Sequence, residues 1–240
     1  DSCWWHNCSP GSERRSQVSS RFGPDSPIAQ VLSWIAALVV ANVVGLLISL
    51  PVVTFGLGLG VMTLVSLRLI ASESTAITPA VAQVVRKAAL PAILLALVEG
   101  FLFSLLLWEW SVTTHLASHS MVLIARTLIV FVVLIATFTH VWVWPMFAHR
   151  LTCKGRVSVK DLPRLASVAL LASVMKLHRT LLALLVVAGP LVLASISLPW
   201  AIRLLFWFVV FGIAFAQYVC VLATYPVLST DQVDEASAES

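Results

Sequence analysis

Long apolar runs separated by short polar connections dominate the chain. A helix needs about 20 apolar residues to cross the ~30 Å hydrocarbon core of a bilayer. The runs 28–50, 121–147 and 201–225 exceed that length, and 52–71, 90–110 and 180–198 lie within one residue of it. A further apolar stretch, 165–177, is too short to cross and is flanked by basic residues, which reads as an interfacial or bundle-packed helix. The pattern predicts an all-α, polytopic transmembrane helical bundle of about six spans plus a short interfacial helix. It divides the chain into a polar and basic leader (1–27), the transmembrane helical domain (28–225) and an acidic tail (226–240).

Local signals place the boundaries. Asp25, Ser26 and Pro27 form a polar cap and a helix-compatible proline ahead of the first span. Pro51 interrupts the pattern, and Thr54, Gly56, Gly58 and Gly60 lead into the second run, either as a tight reversal between two short spans or as a re-entrant element. Asp25, Pro51, Thr54 and Gly56 are therefore assigned to helix starts and turns. Ser72 to Lys87 reads as the first substantial polar connection. Trp142, Trp144 and Pro145 read as an interfacial belt and a helix end, and Pro226 as the start of the tail.

Composition removes water as the main solvent. Charged residues are 11% of the chain, against roughly a quarter in soluble domains. Their distribution sets the orientation. With both termini cytoplasmic, the inner segments hold Arg14, Arg15, Arg21, Arg68, Arg86, Lys87 and the loop residues Arg150, Lys154, Arg156, Lys160, Arg164, Lys176 and Arg179. The outer turns hold no Lys or Arg, and Arg126 and Arg203 lie close enough to the outer face to snorkel. The seven loop residues are read as membrane-surface contacts to anionic headgroups. That use of the basic charge disfavours nucleic acid as a partner. The leader is read as a trimmed or incorrectly started segment and not as a signal peptide.

Few residues in the spans carry chemistry. Glu99 lies about 14 Å along its helix from Leu90, near the middle of the hydrocarbon, where a carboxylate is by default a candidate for a relay, a substrate contact or an interhelical pair. His140 falls inside the fourth run. Glu109 and Arg126 sit toward the outer ends of consecutive antiparallel helices, at depths that differ by about 5 Å, and are read as a structural ion pair. Cys3, His6 and Cys8 lack a second cluster to complete a metal site, and His115 with His119 lacks an acidic or thiol ligand, so no metal and no cofactor are expected. The glycines at 56–60 lack the Lys and hydroxyl residue of a phosphate-binding loop. No catalytic constellation is present in the linear sequence.

Individual residues add a resemblance. Phe22, Gly23, Pro24, Asp25, Ser26 and Pro27 leading into Asn42, and above all Ser49, Leu50, Pro51, Val52, Val53, Thr54, Phe55 and Gly56, resemble the opening of the YesL-like family of bacterial membrane proteins, with Phe55 where the family commonly has Ile. Val143, Trp144, Pro145, Met146, Phe147 and Ala148 resemble the family's later aromatic and proline segment, and Lys176, Leu177, His178, Arg179 and Thr180 its following basic stretch, without the frequent N-P-R. The F-x-x-x-F-K pattern is missing at Ala80 to Lys87. The resemblance implies a bacterial plasma-membrane protein associated with carbohydrate uptake, and it brings no catalytic residues.

Three function classes follow. The first is an accessory or assembly component that packs against a sugar-transporter permease, another membrane subunit or a second copy of itself. The second is an autonomous small-solute transporter or channel using Glu99. The third is a membrane-embedded enzyme limited to Glu99, Glu109, His115, His119 and His140.

Overall fold

Every apolar run forms a helix in the computed structural model, which describes residues 27–71, 76–115 and 118–238. Among the described residues, six helical stretches are long and apolar enough to cross a membrane. The chain is thus an all-α polytopic bundle. Asp25, the rest of the leader and the Cys3, His6 and Cys8 group lie outside the described residues.

The first helix, α1 (Pro27–Ser49), ends at Pro51, and a 3₁₀ turn at Val52–Thr54 reverses the chain into α2 (Phe55–Ile70). The Thr54 hydroxyl lies against the carbonyls of Ile48 and Pro51, which ties off the end of α1. The helix α2 is the axis of the bundle: every residue from Gly56 to Leu67 is buried, and α1, α3, α4 and α8 pack around it. Its 16 residues span only about 24 Å, less than the hydrocarbon thickness, but a helix sheathed by other helices need not match the lipid. Glycine makes the sheath close. A Cβ at Gly56 would strike the Ala92 carbonyl of α3, and one at Gly58 the Gly45 carbonyl of α1.

The third helix, α3 (Ile77–Val112), starts well inside the stretch read as a polar connection. Ala80, Val84 and Ala88 recur every four residues and are buried, so the first turns of α3 are held by packing despite their polar neighbours. The helix breaks its geometry at Ala88 (φ −147°, ψ 17°), one turn before Pro91, whose missing N–H and ring disturb the preceding turn. The next helix, α4 (His119–Lys154), runs through Pro145 without ending. Trp142, Trp144, Pro145, Phe147 and Ala148 are all buried, so the expected helix end is instead enclosed by the bundle, and packing on several sides holds the helix where proline removes one hydrogen bond.

Gly155, in the left-handed region at φ 68°, ends α4. After a 3₁₀ turn at Val159–Asp161 comes the short helix α5 (Leu162–Met175), which buries Leu165, Ala169 and Ser173 and leaves Val168, Leu171 and Val174 exposed. The next crossing is α6 (Leu177–Ile196). The last combines α7 (Leu198–Trp207), a π-helical turn (Phe208–Gly212) and α8 (Ile213–Ala238), with Pro226 inside α8.

Candidate functional site

Glu99 and His140, separate candidates in the sequence, meet in the structure. The kink at Ala88 redirects α3 before it passes α4, and their antiparallel packing brings the two residues to the same level. Glu99 Oε2 lies 3.0 Å from His140 Nδ1 and accepts a hydrogen bond from Trp144 Nε1, also at 3.0 Å. Trp144 is one helical turn beyond His140 on α4, and its ring lies edge-on to the imidazole with centroids 6.5 Å apart. The indole also reaches Gly60 at the bundle axis. One carboxylate oxygen thus joins α3 to two turns of α4, and through Trp144 to α2.

Along α4, His140 is about 21 Å from Arg126 and about 15 Å from Arg150 by the helical rise. It sits at the edge of the bundle. The side chains of His140 and Glu99 are 29% and 19% exposed, whereas Trp144 is fully enclosed. Next to Glu99, Gly100 faces open space, and Val98 and Phe101 are exposed. Chemically the pair can hold a proton between carboxylate and imidazole, or present a polar face sideways to a neighbour, where partly desolvated hydrogen bonds act as glue between helices.

The expected pairing of Glu109 with Arg126 is replaced by another arrangement. Arg126 Nε donates to Thr113 Oγ1 at 3.1 Å and its guanidinium lies 5.0 Å from the Trp110 ring centroid, while Glu109 is exposed. Thr113 is buried at the start of the turn after α3, so the α3–α4 hairpin offers Arg126 a hydroxyl and an aromatic face. His115 and His119 are exposed beyond that hairpin end.

At the other end of the bundle the basic loop is partly tied down. Arg150 Nη2 pairs with Asp161 Oδ1 at 2.9 Å, and Asp161 Oδ2 accepts the Ser158 N–H, which closes the turn before α5. Arg179 Nη1 reaches the Ala223 carbonyl. Lys176 is half-buried, and Lys154, Arg156, Lys160 and Arg164 are exposed. Arg68 Nη2 donates to Gln83 Oε1 at 2.6 Å and Gln83 Nε2 to the Leu151 carbonyl, a chain that joins α2, α3 and α4 at this same end.

Sequence reasoning passed over two buried polar contacts. Asn42 Nδ2 donates to the carbonyls of Phe208 and Val209, and its Oδ1 accepts the Ala214 N–H. Thr63 Oγ1 lies 2.9 Å from Gln217 Oε1, across α2 and α8. The one available signal was an amide in each of two apolar runs, since buried polar side chains in spans find partners. Comparison of the chain with protein-family models, with curated proteins and with solved structures finds no match.

Proposed function

We propose that this multi-span membrane protein works as an accessory or assembly component, engaging a neighbouring integral membrane protein through the flank that carries Glu99 and His140. The observation that supports it is their sideways placement: the polar pair sits at the edge of the bundle, while the axis is filled by α2. A carboxylate and an imidazole left partly exposed to lipid gain from a neighbour that completes their hydrogen bonds. For the neighbour we favour a carbohydrate-uptake permease, and support for that class is the resemblance of Ser49 to Gly56 to the YesL-like opening. Basic residues cluster at the end bearing α5, which favours an orientation with that end and both termini in the cytoplasm. Extraction of the tagged chain from native membrane in a mild detergent is the test. A permease should co-purify with it, and less of it with Glu99→Ala; recovery of the wild-type chain alone and monodisperse in several mild detergents would overturn the reading.

A second reading rests on the same 3.0 Å contact. A carboxylate within hydrogen-bond distance of an imidazole inside an apolar helix bundle suits a proton-linked transporter of a small solute, with Glu99 as the proton carrier. Liposome flux that falls with Glu99→Gln supports it, and no flux across a broad panel of sugars and ions removes it.

A further inference from the structure

A groove of about 440 Å³ lies between α1 and the first turns of α3. Val40 and Val44 form one wall, Val81 and Val85 the other, and Thr78 and Arg86 supply its polar atoms. The α3 side of the groove is formed by the turns that precede the bend at Ala88. Val40 and Val85 are 47% and 44% exposed, so the groove is open along its side. Gln83, one turn before Arg86, is held by Arg68 and by the Leu151 carbonyl, which fixes this part of α3 at the basic end of the bundle. Arg86 itself is exposed and makes no hydrogen bond or ion pair among the described residues.

We propose that this groove is a binding site for an anionic phospholipid of the surrounding leaflet, with one acyl chain against the valines and the phosphate on Arg86. An apolar trough that opens toward lipid selects a hydrocarbon chain, since a small polar solute would leave its own groups unpaired there. A guanidinium at the rim selects a phosphate, whose oxygens match its fork of donors. Basic pockets between membrane helices near the cytoplasmic surface take phospholipid headgroups in the same way. The groove is independent of the Glu99 flank, which lies roughly 20 Å further along α3 by the helical rise.

Native mass spectrometry of the full chain in a non-ionic detergent, titrated with phosphatidylglycerol, reads the site directly. Wild-type protein should retain the lipid, and Arg86→Ala should weaken its apparent affinity about fivefold, the usual effect of one basic residue at an anionic headgroup. Arg86→Lys should restore most of that loss. Val85→Trp, at an exposed position, should fill the trough and displace the acyl chain. Inorganic phosphate, which lacks the chain, should not compete. Retention by Arg86→Ala and Val85→Trp equal to wild type would overturn the site, and so would displacement of the lipid by inorganic phosphate alone.

Discussion

Asn42 Oδ1 accepts the backbone N–H of Ala214 at 2.8 Å, joining the first crossing to the start of α8. The same side chain donates to the carbonyls of Phe208 and Val209, at 3.1 and 2.7 Å, inside the π-helical turn. A π turn shifts the backbone pairing and leaves groups that lipid cannot satisfy, so a buried carboxamide with both donors and acceptor engaged is the local remedy. Gly212 allows the turn to pack closely, since a Cβ there would meet the Trp207 ring at 2.5 Å.

Replacing Asn42 with Leu strands those backbone groups inside the bundle. The loss of stability should be about 1–3 kcal/mol, the cost of leaving buried polar groups unpaired. Val43→Leu, at the exposed neighbouring position, should change little. Thermal unfolding in detergent, followed by circular dichroism, compares the two; equal midpoints would mean that Asn42 does not hold the turn.

Two glycine substitutions should move stability in opposite directions. Gly56→Ala drives a methyl group into the Ala92 carbonyl, backbone that cannot swing away, and overpacking of this kind costs about 1–3 kcal/mol. Gly100→Ala meets nothing within 4 Å and removes a flexible residue from a helix interior, which should stabilise by up to about 1 kcal/mol. If Gly56→Ala unfolds no earlier than wild type, the close approach of α2 and α3 is not as described.

The Glu99 and His140 contact can be weighed by a double-mutant cycle with Glu99→Gln and His140→Leu. Interhelical hydrogen bonds in membranes couple by about 0.6 kcal/mol on average and at most about 1.7. A coupling energy in that range is expected from unfolding in detergent, whereas strictly additive losses would separate the residues. Arg126→Gln should be additive with Glu109→Gln in the same assay, because Arg126 bonds Thr113 and stacks near Trp110 instead.

The all-α class and the count of about six membrane-length helices were legible because lipid imposes long apolar runs, and those runs survive any choice of packing. The central position of α2 was only half legible. Gly56, Gly58 and Gly60 signalled close contact, but whether the contact lay on one side or all round depends on how α1, α3, α4 and α8 assemble. Trp142, Trp144 and Pro145 misled for a physical reason: indole and proline suit a membrane surface, yet here Trp142 Nε1 donates to Thr180 Oγ1 and Trp144 Nε1 to Glu99, so both rings are satisfied inside. Glu99 and His140 were each visible as polar residues in apolar runs. Their meeting was not, because it depends on the antiparallel register of α3 and α4 and on the bend at Ala88. The Glu109 and Arg126 pairing failed on the same point, since depth along two helices fixes level but not which face each side chain occupies.

The sideways polar contact of Glu99 and His140 is tested most directly by photo-cross-linking in native membranes from a benzoylphenylalanine at Phe101, an exposed position two residues beyond Glu99. The account predicts a discrete adduct with another integral membrane protein, and its loss when Glu99→Ala is introduced in the same chain. Adducts with lipid alone, unchanged by Glu99→Ala, would contradict it.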